Sequence, residues 1–136
     1  MSTEDNKALV QRFFEEVINQ KNLAALDQFV SPTAVNHTVP SGLPQKPSQL
    51  LSLHLNAFPD VKATVEDLLA DGDKVVALVS YRGTQRGAFR AISPTGKPIS
   101  VMGINIFRIV NGKMEEHWGL ADRLSALQQL GVVSPP

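Results

Sequence analysis

Apolar residues recur at helical spacing in the first part of the chain. Six of them fall on one face of a helix: Leu9, Val10, Phe13, Phe14, Val17 and Ile18. Ser2 or Thr3 can cap this first helix. Leu23–Val30 predicts a second short helix that stops before Pro32. Pro47–Phe58 predicts a third helix, because proline suits the first helical turn.

From residue 61 onward the spacing becomes that of extended chain. Four segments are predicted as strands: Val61–Ala70, Lys74–Tyr81, Ile99–Val110 and Met114–Ala121. Asp71-Gly72 and Asn111-Gly112 are typical of tight hairpins, whereas Gly83–Lys97 reads as a longer loop. Helices followed by an antiparallel meander favour an α+β fold with helices on one sheet face. Without repeats or linkers, we expect a single domain over residues 1–136.

The Asn111-Gly112 turn predicts a register for the last two strands. The expected opposing pairs are Val110 with Lys113, Trp118 with Asn105, Leu120 with Gly103, and Asp122 with Val101. Alternation then places one set on the face toward the helices: Gly103, Asn105, Phe107, Trp118, Leu120 and Asp122. Arg108 opposite Glu115 and Ile106 opposite His117 fall on the other face. A bulge at Gly119 would bring His117 inside instead.

Composition and charge exclude several classes of protein. The chain has 136 residues, 43% hydrophobic and 19% charged, with thirteen basic and thirteen acidic residues. Such a balance provides no basic field, so we expect no nucleic-acid or membrane partner. There are no cysteines, which rules out disulfides and thiolate chemistry. Met1–Asn6 lacks the apolar core of a signal peptide, and we expect a cytoplasmic protein.

Asp122 supports two interpretations. A carboxylate at the mouth of an apolar sheet can become an acid/base catalyst, because desolvation raises a carboxyl pKa toward neutrality. Asp122 is also a good N-cap for a helix over Arg123–Leu130, which Gly131 would end. The local pattern leaves both open.

The histidines and large aromatics are candidates for lining a pocket. His37 lies in a pocket wall or an exposed loop, and His54 is either a core-edge residue or a pocket residue. Their spacing with His117 is not that of metal ligands, so we predict no metal site. Four aromatic residues can serve both core and pocket: Phe14, Phe58, Tyr81 and Trp118.

The strand Lys74–Tyr81 is apolar on both faces. One face can pack on the helices, and the other requires a different cover. We therefore predict a homodimer formed through the outer face of the sheet.

Several segments together resemble a known family. They are Asn6–Val17, Asn36-His37, Phe58–Asp60, Val65–Asp67, Pro94–Lys97, Ile106–Arg108, Asn111–Lys113 and Glu116–Trp118 followed by Asp122. Their order and spacing, over residues 6–131, resemble the SnoaL-like polyketide (ester) cyclases of the nuclear transport factor 2-like superfamily.

This resemblance implies a cone, in which a curved, mainly antiparallel sheet wraps around the N-terminal helices. It also implies an apolar pocket, a homodimer and an intramolecular aldol ring closure without metal or organic cofactor. Asp122 matches the general acid/base of the family. The characterised cyclases pair that Asp with a pocket His. In this chain the predicted register puts Asn105 near Asp122, and His117 would substitute for that His only if a bulge at Gly119 turned it inward. The substrate-binding candidates are Asn105, Trp118, His37, His54, Tyr81, Phe14, Phe58 and His117.

Three functions remain in view. The first is a cofactor-independent cyclase that acts on an apolar polycarbonyl substrate. The second is a module that binds a small molecule or dimerises without catalysis. The third is an isomerase or epoxide hydrolase, and the hydrolase needs an Asp–Arg–Asp set inside the cone. The fold alone does not decide among them.

Overall fold

The computed structural model describes residues 2–134. Its elements are α1 (Thr3–Arg12), a π-helical segment (Phe13–Asn19), a 3-10 turn (Leu23–Ala25), α2 (Leu26–Phe29), β1 (Val30–Asn36), α3 (Pro47–Ala57), β2 (Lys62–Asp71), β3 (Lys74–Thr84), β4 (Pro98–Val110), β5 (Lys113–Ala121) and α4 (Arg123–Gln129).

The first helix forms as predicted and begins with a capping box. Ser2 Oγ accepts a hydrogen bond from the Asp5 N–H at 3.0 Å, and Asp5 accepts one from the Ser2 N–H at 3.2 Å. The π-helical segment continues α1 directly, so the predicted apolar stripe points into the core over both segments. Phe13 is partly buried and the other five stripe residues are buried.

The sheet has five strands in the order β1-β5-β4-β3-β2. Its pairs are antiparallel except that β1 runs parallel to β5. It is curved and unclosed and packs on the N-terminal helices, so the α+β prediction is confirmed. The second helix ends at Phe29 rather than Val30, and the sequence analysis missed β1. Pro32 lies within β1, which is possible because β1 is an edge strand.

The core lies between the inner face of the sheet and the N-terminal helices. Small and branched side chains of β3 are fully buried there, namely Val75, Ala77 and Val79. Phe13 contacts three other aromatic rings edge-on, with ring centroids 5.2 to 6.1 Å apart: Phe14, Phe29 and Phe107. The alternation predicted for Lys74–Tyr81 is thus confirmed.

A β-bulge in β5 corrects the predicted register. Val110 pairs with Lys113 and Ile109 with Met114, as the Asn111-Gly112 turn predicts, but Arg108 pairs with Glu116. Glu115 is therefore an extra residue, and every later pair is shifted by one position. The pairs beyond the bulge are Phe107 with His117, Ile106 with Trp118, Asn105 with Gly119, Ile104 with Leu120 and Gly103 with Ala121.

The shift exchanges the two faces of β5. His117 and Gly119 lie on the inner face, whereas Trp118 and Leu120 lie on the outer face. The predicted inward position of Trp118 and Leu120 was therefore wrong, because strand alternation was counted without the bulge. The predicted pairing of Asp122 with Val101 is wrong for the same reason. β5 ends at Ala121, and the Asp122 N–H donates to the carbonyl of Met102, so the strand position that placed Asp122 on the inner face is not observed. A bulge does bring His117 inside, at Glu115 rather than at Gly119. The ion pair of Arg108 is with Glu116 and not with Glu115.

The two ends of the cone differ. The hairpin turns at Gly72 and Asn111-Gly112 lie at one end, beside Asn6 of α1, and we call this the closed end. The open end is bordered by three segments that we call the rim: residues 38–61, residues 85–97 and Asp122-Arg123. Within the rim, α3 buries only Ala57. The predicted helix Pro47–Phe58 is thus present, with Phe58 as its C-cap.

The rim loop 85–97 is held by one buried side chain. Gln85 Oε1 accepts hydrogen bonds from the Thr95 N–H at 3.0 Å and the Thr95 hydroxyl at 2.7 Å. The Gln85 Nε2 donates to the carbonyl of Ile92 at 3.2 Å. This loop is therefore a fixed wall of the open end rather than an untethered flap.

Candidate active site

A chain of three hydrogen-bonded side chains crosses the inner face of the sheet. Tyr81 of β3, Asn105 of β4 and His117 of β5 lie on neighbouring strands. The Asn105 Nδ2 donates to the Tyr81 hydroxyl at 3.0 Å, and the His117 Nε2 lies 2.9 Å from the Asn105 Oδ1. With the amide in this orientation, the His117 Nε2 carries the proton that it donates.

His117 is held as a neutral imidazole. Burial lowers its pKa to about 4, from an ordinary value of 6.5. Its ring stacks on Phe107, with centroids 4.6 Å apart and planes 8° apart. An apolar face therefore covers the ring and disfavours the charged form.

Tyr81 terminates the hydrogen-bond chain. Burial raises the pKa of its hydroxyl, against the opposing effect of the hydrogen bond from Asn105, so the phenol stays protonated near neutrality. Its oxygen accepts from Asn105. The hydroxyl proton has no acceptor among residues 2–134, which leaves it able to bond an oxygen atom of a ligand.

Two glycines make room for this chain. A Cβ on Gly119 would lie 2.9 Å from the His117 Nε2 and 3.0 Å from the Asn105 Oδ1. A Cβ on Gly103 would lie 3.1 Å from the Tyr81 ring. Thr38 fixes the backbone here, since its Oγ1 accepts from the Gly119 N–H at 2.7 Å.

Asp122 lies at the rim and caps α4. Its Oδ1 accepts a hydrogen bond from the Ser125 N–H at 3.0 Å, and its own N–H donates to the Met102 carbonyl at 3.0 Å. The residue is exposed. The cap interpretation is thus confirmed. Asp122 directly follows Ala121, which pairs with Gly103 below the Tyr81 ring.

His54 and Phe58 also belong to the rim. The His54 ring lies 6.2 Å from the Phe89 ring, and Phe58 packs edge-on against Phe89 at 5.4 Å. Burial of the His54 ring lowers its pKa, a hydrogen bond with the Leu50 carbonyl opposes this, and the charge of Arg123 lowers it further. Phe58 is buried under the rim.

Three candidates lie away from the inner polar chain. Trp118 is on the outer face, stacked on His37 at 4.7 Å. His37 Nε2 lies 3.1 Å from the Glu116 carboxylate, also on that face. Phe14 is buried in the core and contacts the Phe107 ring at 6.1 Å, so it supports the site only from below.

Charged clusters for other chemistry are not assembled on the inner face. Arg108 is on the outer face, paired with Glu116 and, at 4.0 Å, with Asp73. An Asp–Arg–Asp set is therefore absent from the inner face over residues 2–134. The same residues contain no group of three His, Cys, Asp or Glu that could hold a metal. No helix among them is long and apolar enough to cross a bilayer.

Comparisons with known proteins give the family. Residues 8–130 match the profile described as SnoaL-like polyketide cyclase. The chain belongs to this family. A search of curated proteins finds no significant match.

Several solved structures share the cyclase-family fold over nearly the whole chain. AclR from Streptomyces galilaeus, described as a candidate hydroxylase, is 28% identical with a TM-score of 0.86, covering 98% of this chain and 89% of its own. TsrD from Streptomyces laurentii is 25% identical with a TM-score of 0.86, covering 98% and 99%. IdmH from Streptomyces antibioticus, described as a candidate polyketide cyclase, is 30% identical with a TM-score of 0.78, covering 93% and 99%.

Three residues that shape the site of this family member were not among the predicted site residues. Thr38 anchors Gly119, Phe107 stacks on His117, and Gly119 leaves space for the His117–Asn105 hydrogen bond. A glycine inside a predicted strand was the available signal for a close approach. Together the side chains offer a hydroxyl donor, a neutral imidazole and a carboxylate at the rim.

Proposed function

We propose that this chain is a cofactor-independent acid/base enzyme that closes a ring by intramolecular aldol chemistry. Its substrate would be an apolar small molecule with several carbonyl groups, and the cyclase-type family supports this class. One observation carries the proposal. The hydrogen-bonded chain Tyr81–Asn105–His117 orients the Tyr81 hydroxyl, whose proton is available to a ligand, on an otherwise apolar inner face.

The Tyr81 hydroxyl would stabilise the enolate. It would donate a hydrogen bond to the carbonyl oxygen on which negative charge develops. Asn105 donates to the Tyr81 oxygen and thereby fixes its orientation. Neutral His117 would hold the Asn105 amide oxygen, so that the amide N–H points at Tyr81 rather than away.

Asp122 would transfer the proton. Its carboxylate would remove a hydrogen from a carbon between two carbonyls, and the electron pair would move onto the carbonyl oxygen. The enolate carbon then attacks a second carbonyl of the same molecule and forms the new carbon–carbon bond. The resulting alkoxide takes the proton back from Asp122, so no proton is gained or lost overall.

A non-catalytic binding module is the second candidate. It is favoured by the position of Asp122, which is exposed and engaged as a helix cap. In that case the inner polar chain would recognise a carbonyl ligand without transferring a proton.

Exchange of the acidic protons of an apolar β-keto ester into D2O, followed by proton NMR, tests the proposal. Asp122→Asn should slow the enzyme-dependent exchange by about 100- to 10,000-fold. The fold should be retained, since Asn caps helices about as well as Asp. Tyr81→Phe should slow exchange by about 100- to 1,000-fold, because it removes only the donor to the enolate.

Ligand affinity is the control for these rates. Tyr81→Phe should bind the same ester with most of the wild-type affinity, so that its slower exchange reports a loss of catalysis rather than of binding. If Asp122→Asn exchanges protons at the wild-type rate, Asp122 is not the base. Tight binding of the ester with no exchange above the buffer rate would favour the binding module.

We also propose that the protein forms a homodimer through the outer sheet face. Large apolar side chains are exposed there, with Leu120 73% exposed and Ile104 51% exposed. Sedimentation should then give about twice the monomer mass of 14.8 kDa. Ile104→Glu should yield monomers, whereas Leu53→Glu on α3 should not. A wild-type protein that sediments as a monomer at micromolar concentration would contradict the dimer.

A further inference from the structure

The rim is basic although the chain is neutral. Five of the thirteen basic residues and two of the thirteen acidic residues lie in it, so it carries three net positive charges. The remainder of the chain is correspondingly acidic. The rim cations are Lys46, Arg86, Arg90, Lys97 and Arg123.

These cations lack carboxylate partners. None of the five forms an ion pair within residues 2–134, and Arg90 bonds only the Ser41 carbonyl, at 3.5 Å. Away from the rim, three of the eight cations are paired with acids: Lys7 with Glu4, Arg12 with Glu16, and Arg108 with Glu116 and Asp73. The positive charge of the rim is therefore not neutralised by the protein itself.

Arg123 lies two residues beyond the end of β5, the strand that carries His117. It follows Asp122, and its Cα lies within about 7 Å of the Cα of Ala121, which sits on the inner face. Its charge contributes, as the smallest of three effects, to the pKa of His54, which it lowers. A cation in the first turn of a helix is unfavourable for the helix dipole, so stability of α4 does not explain Arg123.

We infer that the substrate of the proposed site carries a carboxylate. The rim cations, Arg123 in particular, bind this carboxylate at the open end, while the apolar part of the substrate that bears the carbonyl groups lies against the inner face. This inference rests on the proposed function and adds the charge of the substrate to it. Guanidinium groups suit this role because they pair with carboxylates through two parallel N–H bonds. The uncompensated rim would also attract an anionic substrate over several ångströms.

Calorimetric titration with a matched ligand pair tests the inference without requiring turnover. The pair is a naphthyl γ-keto carboxylate and its methyl ester, which share ring and ketone and differ in charge. The carboxylate should bind about fivefold more tightly than the ester at low salt, as expected for exposed charge pairs. The preference should shrink as salt shortens the screening length to about 8 Å.

Arg123→Gln should remove most of this preference and leave ester affinity unchanged. A triple variant of Arg86, Arg90 and Arg123 to Gln should abolish the preference. Arg12→Gln is the matched control, because it removes the same charge from α1, and it should behave like the wild type.

Equal affinity for the two ligands would overturn the inference while leaving the proposed site intact. A carboxylate preference that survives the triple variant would overturn it as well. Failure of both ligands to bind would overturn the proposed site together with this inference.

Discussion

The closed end and the open end of the cone are built for different purposes. At the closed end, the N-terminal helices bury a stripe of apolar side chains against β3, β4 and β5, and Lys7 and Arg12 of α1 are paired with acids. At the open end, α3 buries only Ala57, and no rim cation is paired within the described chain. The first arrangement resembles an ordinary core, whereas the second resembles a binding surface.

The difference separates stability from chemistry. Local stability follows from buried apolar contacts, so the closed end should dominate the free energy of unfolding. The polar chain Tyr81–Asn105–His117 lies between the two ends. The hydrogen bonds within it offset the free-energy cost of burying its polar groups. Mutations at the two ends should therefore change different observables.

The largest effect is expected at the closed end. Phe29 is 1% exposed and packs on Phe13, so Phe29→Ala should cost about 3 to 5 kcal/mol of unfolding free energy. Ligand affinity of the folded fraction should change little. Urea denaturation at neutral pH measures the loss, and a loss below about 1 kcal/mol would contradict the proposed distribution of stability.

Acid should destabilise the protein through His117. Its folded pKa is about 4 against an ordinary 6.5, so between these values the unfolded chain binds a proton that the folded protein does not. Stability therefore falls as the pH is lowered through this window, by about 3 kcal/mol in total. Urea denaturation between pH 7 and pH 4 measures it. His54→Gln is the control. This variant should still lose most of the same unfolding free energy between pH 7 and pH 4, because His117 is unchanged.

The cap of α4 should contribute less. Asp122→Ala removes the acceptor for the Ser125 N–H and should cost about 1 kcal/mol, whereas Asp122→Asn should cost only a few tenths. Comparing both variants in thermal unfolding and in proton exchange separates the two roles of Asp122. If the wild type and Asp122→Asn exchange the ester protons at equal rates and the cap is intact in both, capping α4 is the sole role of Asp122.

The smallest effect is expected on α3. Leu53 is 45% exposed, so Leu53→Ala should change the unfolding free energy by no more than about 0.5 kcal/mol. A much larger loss in urea denaturation would show that Leu53 packs more extensively than its exposure indicates and would weaken the contrast between the ends.

Much of the fold could be predicted from the sequence, because apolar spacing records it directly. The helical stripe from Leu9 to Ile18, the Asn111-Gly112 hairpin and the alternation along β3 all appear as predicted. The strand β1 could not be predicted the same way. Its pairing is with β5, far away in sequence, and Pro32 made its start read as the end of a helix.

The site was harder to predict because it depends on one inserted residue. Period-two alternation assigns faces only while the ladder is regular, and Glu115 interrupts it. That single bulge moved His117 inward and Trp118 outward. Asn105 was placed correctly on the inner face, because no extra residue interrupts β4. The sequence left open which face of β3 packs on the helices, so the inner position of Tyr81 was not predicted.

The protonation of His117, observed by nitrogen-15 NMR as a function of pH, tests the hydrogen-bond chain directly. We expect a neutral ring with its proton on Nε2 near neutrality and a pKa of about 4. An Asn105→Leu variant, which removes the acceptor for that proton, assigns the effect of the hydrogen bond. A wild-type pKa near 6.5, or a proton that resides on Nδ1, would contradict the hydrogen-bond chain on which the proposed chemistry depends.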